Sequence, residues 1–140
     1  AYRHWGHDIT EEDTPLEAGL GFAVAFDKPG GFIGREALLR MRESTPTRRL
    51  VQFALVDPGP LLYHEEPIWR DGVVVGSTTS AMYGHTLGGS VALGYVAHAG
   101  GVSAQFVDSG NYEIEIAGER HAARASLRPM YDPRAERVKA

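Results

Sequence analysis

From Arg48 onward the chain is a series of short apolar runs cut apart by tight-turn residues, and that punctuation limits its fold more than any other feature. Val51, Phe53 and Leu55 share one face of a strand over 49–56, and Asp57-Pro58-Gly59-Pro60 ends it. The runs 67–70 and 73–76 flank Asp71-Gly72, a two-residue loop of the kind favoured in tight hairpins. Residues 90–96 read as a further strand. Tyr112-Glu113-Ile114-Glu115-Ile116 alternates cleanly, turns at Ala117-Gly118 and pairs with 121–127. Five or six short strands at regular spacing point to a small antiparallel barrel or a Greek-key sandwich. The hydroxyl run Ser77-Thr78-Thr79-Ser80 reads as edge-strand and turn residues that satisfy backbone groups.

The first 47 residues follow other rules. Thr14-Pro15-Leu16-Glu17 is a helix start, with Thr14 as N-cap, Pro15 in the first helical position and Glu17 closing a capping box. Gly19 and Gly21 limit it to a turn or two. Residues 20–26 read as a buried strand ended by Asp27-Lys28-Pro29-Gly30-Gly31. The best helix runs over about 34–44, with Ile33, Leu38 and Met41 as its apolar stripe, and Ser44-Thr45-Pro46-Thr47 stops it. That stop marks the boundary between two parts.

Composition removes several function classes. With no cysteine among 140 residues there is no disulfide framework, thiol catalysis or thiolate metal site. A formal charge of -4 gives no electrostatic footprint for nucleic acid or an anionic membrane. No apolar run approaches the ~20 residues that span a bilayer, and no signal pattern opens the chain, so the expected setting is cytoplasmic. The opening at Ala1, without a methionine, reads as cut from something longer.

Candidate chemistry is concentrated at the start. In Tyr2-Arg3-His4-Trp5-Gly6-His7-Asp8, His4 and His7 stand three apart beside Asp8, a spacing that a metal could use only with a further ligand from elsewhere. The competing reading is surface or hydrogen-bonding histidines, and no metal site is expected. Tyr2, Trp5 and Phe22 could offer flat faces to an aromatic ligand, with Arg3, Lys28 or Asp8 at its polar edges; alternatively, Trp5 and Phe22 pack beneath the capping turn. No phosphate-binding loop and no GxSxG elbow is present. The residues by themselves define a soluble α+β chain, mainly β, and no reaction.

Four blocks, in their order and spacing, resemble the carboxy-terminal part of the glycine-cleavage T-protein (aminomethyltransferase) family. They are Trp5-Gly6-His7-Asp8-Ile9, Thr14 through Phe22, Phe32-Ile33-Gly34-Arg35-Glu36-Ala37-Leu38, and Gly76 through Ser80 continued by Val91 through Val96. Where T-proteins usually have Leu-Tyr-Gly, the form His4-Trp5-Gly6 looks more like the folate-handling half of sarcosine and dimethylglycine dehydrogenases or oxidases.

The resemblance implies an enzyme that captures a one-carbon unit from an N-methylated or aminomethyl donor on tetrahydrofolate. Residues 1–47 would be the end of a folate-binding domain, and 48–140 a Greek-key β-barrel domain. It further implies that Trp5 lies beside the pterin pocket, and that Lys28 approaches the folate's acidic tail without arginine's bidentate fork. Tyr131 would stand for the family's carboxy-terminal tyrosine, displaced from its register. The family's catalytic aspartate would lie upstream of Ala1, so no catalytic residue is expected here and the isolated chain should be inactive. FAD, if the parent carries it, would belong to another domain. The expected partners are tetrahydrofolate and the rest of the parent, with a homodimer through exposed apolar surface as a further option. The competing function is a non-catalytic barrel that docks to a partner through an apolar patch around Leu20, Phe22, Val24 and Phe26.

Overall fold

The computed structural model describes residues 2–139, and of Val138 the backbone alone. Six antiparallel strands close into a barrel: β1 (Arg48–Leu55), β2 (Pro67–Arg70), β3 (Val73–Gly84), β4 (Gly89–Ala97), β5 (Tyr112–Ile116) and β6 (Glu119–Ser126). Around the barrel the order is β1-β4-β3-β2-β5-β6, with β6 returning to β1. β2, β3 and β4 are successive hairpins. β1 lies beside β4 after the long connection 56–66, which is a Greek key. Closure leaves no free sheet edge.

Alternation explains the core. Val51, Phe53 and Leu55 of β1 point inward and meet Ile68, Ala92, Val96, Tyr112 and Ile114, while Leu62, Val102 and Val107 join the same cluster from the connecting segments. The Phe53 and Tyr112 rings meet edge to face at 5.5 Å. Both expected hairpin turns take two consecutive left-handed residues, Asp71 and Gly72 at φ 49° and 83°, and Ala117 and Gly118 at φ 50° and 84°. Gly94 is required where β3 and β4 cross closely, because a Cβ there would lie 2.6 Å from both Ile68 Cδ1 and the Ser77 carbonyl oxygen.

Three local expectations change. Residues 20–26 form no strand; a 3-10 turn at Gly21–Ala23 occupies the centre and Phe22 is 86% exposed. Gly19, at φ 66°, turns the chain away before an extended segment can begin. β3 runs through the hydroxyl cluster to Gly84, beyond the hairpin arm read at 73–76. A short helix, α2 (Ala104–Ser109), was not expected; Ser103 caps it by accepting the Phe106 N–H at 3.0 Å.

The capping box forms. Thr14 Oγ1 donates to Glu17 Oε2 at 2.6 Å, the Thr14 N–H reaches the same oxygen at 3.1 Å, and the Glu17 N–H returns to Thr14 Oγ1 at 3.3 Å. α1 (Arg35–Arg42) begins after Gly34, at φ 88°, and contains no buried residue. Its expected stripe lies largely at the surface, with Ile33 fully exposed.

Candidate functional site

Residues 2–47 form an arm that meets the outer wall of the barrel through Asp8, Asp13 and Glu17. On β1 and β4 the residues that alternate with the core are Leu50, Leu93 and Tyr95, and they make a second buried cluster separate from the interior. The arm is tied to this wall by specific bonds. The Leu50 N–H donates to the Glu17 carbonyl at 2.8 Å, and Arg48 Nη1 meets Asp13 Oδ1 at 2.6 Å. The Arg48 guanidinium also lies 3.6 Å over the Tyr95 ring. Arg3 donates to the Ala18 carbonyl at 3.0 Å.

These contacts shift ionisation. Burial alone would raise the Asp13 carboxyl, but the Arg48 and Thr10 hydrogen bonds and the Arg48 charge outweigh it and hold the group below its ordinary value. Burial, reinforced by the Asp13 charge, pushes the Tyr95 phenol well up. Burial lowers the Arg3 guanidinium, with the Asp8 charge opposing the fall.

The conspicuous feature of the arm is the loop 4–9. The Asp8 N–H donates to the His4 carbonyl and the Gly6 N–H to the Ile9 carbonyl, each at 2.8 Å, with Gly6 left-handed at φ 91°. Asp8 itself is 1% exposed. Its Oδ2 accepts the His4 N–H at 2.7 Å, and its Oδ1 accepts the Thr79 hydroxyl from β3. The turn therefore closes around a buried carboxylate and pushes the Trp5 side chain outward, 65% exposed.

Of the residues singled out in the sequence, Trp5 and Lys28 are both exposed on the arm, and Lys28 makes no ion pair among the described residues. Tyr131 follows the barrel, 43% exposed, with the Arg137 guanidinium 5.7 Å from its ring centroid. No hydrogen bond or ring contact among the described residues joins these three. Trp5 and Phe22 do not pack beneath the capping turn. His4 and His7 are exposed and stack at 4.6 Å, and the described residues contain no group of three or more His, Asp or Glu placed to hold a metal.

Among the described residues, two of the small pockets lie elsewhere. One, about 190 Å³, lies between the capping turn and the stop 44–47; the other, about 150 Å³, lies at the barrel end lined by Val56, Leu87 and Arg124. The exposed aromatic surface of the arm belongs to neither.

Sequence reading missed Thr79 and the anchoring role of Asp8. The hydroxyl run was visible, and Thr78 does satisfy backbone groups as expected, donating to the Tyr63 carbonyl and accepting the Glu66 N–H. Nothing in local pattern, however, links positions 71 residues apart.

The structure is a closed Greek-key barrel with an aromatic-bearing arm bonded to its outer wall. Residues 48–132 match the family described as the glycine cleavage T-protein C-terminal barrel domain, and the chain belongs to that family. It is 43% identical over 141 residues to 4-methylaminobutanoate oxidase (formaldehyde-forming) of Paenarthrobacter nicotinovorans, covering 99% of this chain and 16% of that protein. It is 42% identical over 140 residues to mitochondrial sarcosine dehydrogenase of Homo sapiens, covering 99% of this chain and 15% of that one. The crystal structure of the glycine cleavage system aminomethyltransferase T from Bartonella henselae superposes with a TM-score of 0.72 at 26% identity, over 87% of this chain and 33% of that chain. The chain thus spans about a sixth of these curated relatives, and the likeness includes the arm as well as the barrel.

Proposed function

We propose that this chain is the carboxy-terminal part of a tetrahydrofolate-dependent enzyme of one-carbon metabolism, of the aminomethyltransferase or sarcosine and dimethylglycine dehydrogenase kind, and that its arm supplies one wall of the folate site. The observation that carries the reading is the Trp5 loop. A carboxylate buried in the turn leaves a flat aromatic face outside, where it can stack on a pterin. Lys28, which makes no ion pair among the described residues, supplies a cation for an acidic tail, as a point charge. Tyr131, on the segment after the barrel, completes the proposed set. Among the described residues no hydrogen bond or ring contact joins the three, and each is proposed to line the same open side of the folate site, with the facing wall supplied by other parts of the parent. Bound tetrahydrofolate would supply the nitrogens that take up a one-carbon unit. The bacterial relative is a formaldehyde-forming oxidase, and formaldehyde is a one-carbon unit of this kind. FAD and the catalytic aspartate are assigned to other parts of the parent, so turnover by this chain alone is not expected.

No helix among the described residues is long and apolar enough to cross a membrane. The cytoplasmic setting is part of the proposal, and the human relative is named mitochondrial. A second reading, a non-catalytic barrel that docks to a partner or to a second copy, is favoured by the exposure of Phe22, Ile33 and Met41 on the arm. An anaerobic calorimetric titration with tetrahydrofolate, followed also by tryptophan fluorescence, separates the two. Saturable binding that weakens in Trp5→Ala and in Lys28→Ala supports the folate wall. Absence of binding at millimolar ligand supports the docking module.

A further inference from the structure

We propose that Thr79 is a positioning residue through which the barrel sets the orientation of the Trp5 loop. β3 and β4 pair Thr78 with Gly94 and Ser80 with Leu93, so Thr79 is the extra residue of a β-bulge. Bulges re-aim a side chain out of the regular alternation. Here the preceding residue, Thr78, is fully buried and bonded to the 63–66 connection, while Thr79 Oγ1 reaches Asp8 Oδ1 on the arm, with the Leu93 carbonyl 3.2 Å away. The other oxygen of the same carboxylate holds the His4 N–H at 2.7 Å.

The chain of contact is therefore short: barrel bulge, hydroxyl, buried carboxylate, backbone of the residue before Trp5. A buried polar atom that loses its hydrogen-bond partner incurs its full desolvation penalty, and a carboxyl group 1% exposed cannot replace a lost partner with water without moving. Removing the Thr79 hydroxyl should release Asp8, and with it the turn that points Trp5 outward. The arm's other ties to the wall, Arg48 to Asp13 and Leu50 to Glu17, attach positions 13 and 17, and Arg3 is bonded to the Ala18 and Gly19 carbonyls within the arm, so among the described residues Thr79 is the barrel side chain that reaches into the loop 4–9 itself. This deepens the folate reading by assigning the barrel a part in shaping that site, and its first test does not depend on the ligand.

The test is a comparison of Thr79→Val, which keeps the shape and loses the hydroxyl, with Thr79→Ser, which keeps the hydroxyl. The chain has two tryptophans, and their indole N–H signals in a nitrogen–proton correlation spectrum report separately. Trp69 Nε1 donates to Glu115 within the barrel at 2.9 Å and serves as the internal control. In Thr79→Val the Trp5 indole and His4 amide signals should move while Trp69 stays, and Thr79→Ser should restore both. Unmoved Trp5 and His4 signals in Thr79→Val, or no restoration by serine, overturn the proposal. If Thr79→Val does not fold, Asp8→Ala must displace the Trp5 signal with Trp69 unchanged, and an unmoved Trp5 signal there overturns it equally.

Tetrahydrofolate is then added. Affinity should fall ~10-fold in Thr79→Val and return in Thr79→Ser. A displaced Trp5 with unchanged affinity overturns the role in the site. No binding even by the unaltered chain refutes the folate reading and leaves the positioning of Trp5 judged by the spectra alone.

Discussion

The two regions of this molecule bury their apolar residues to different extents. The barrel encloses Phe53, Ile68, Val96 and Ile114 completely, whereas among the described residues before Arg48 only Ala18 and Asp8 are buried. On the arm Tyr2, Phe22 and Ile33 stand at 84%, 86% and 104% exposure. A closed barrel satisfies its own edges and core, so it can be stable by itself. The arm instead spends its specific bonds on the barrel wall and turns aromatic surface outward. The chain spans about a sixth of the oxidase and sarcosine dehydrogenase it resembles, and under the proposed function this outward surface meets the rest of the parent.

The sharpest way to break this contrast is to delete barrel core. Phe53→Ala should cost about 3–5 kcal/mol in denaturant unfolding; a loss near zero would mean that the barrel does not carry the stability assigned to it. A smaller effect is expected at the barrel end, where the Arg70 guanidinium donates to the Phe106 carbonyl at 3.1 Å and lies 3.9 Å from the Phe106 ring centroid, clamping α2. Arg70→Met should cost about 1–3 kcal/mol, and the Val107 amide should be among the first to lose exchange protection.

Acid should separate the regions. Asp13 is held below its ordinary value of 3.8, so its contribution with Arg48 is full above that value and is lost as pH falls through the lower folded value. Arm amides should therefore lose protection below about pH 4, before those of β1 and β4, and earlier still in high salt because Arg48 is 43% exposed. Equal loss in both regions would dissolve the distinction. The smallest effects belong to the exposed aromatics: Trp5→Ala and Phe22→Ala should change unfolding free energy by less than about 0.5 kcal/mol, and a larger cost would show that they are packed.

The barrel was readable because its signals are local. Alternation in Val51-Gln52-Phe53-Ala54-Leu55 and the left-handed pairs Asp71-Gly72 and Ala117-Gly118 carry their own geometry. The capping box at Thr14 and Glu17 was readable for the same reason. Residues 20–26 misled because an apolar run can be a strand only if another strand accepts it, and none among the described residues does. The six-residue α2 was too short for a helical period to register. Trp5 and Lys28 were singled out by type and resemblance, and the structure adds the reason that Trp5 faces outward. The anchor itself, Asp8 with Thr79, joins two distant segments through a bulge, which no spacing rule anticipates.

The most direct test of the whole account is amide hydrogen exchange across the chain, with and without tetrahydrofolate. The account predicts that amides of β1, β4 and β5 exchange only through global opening, that the arm exchanges faster, and that the ligand slows exchange around Trp5 and Lys28. Equal protection of arm and barrel without ligand, or ligand protection confined to the barrel, would contradict it.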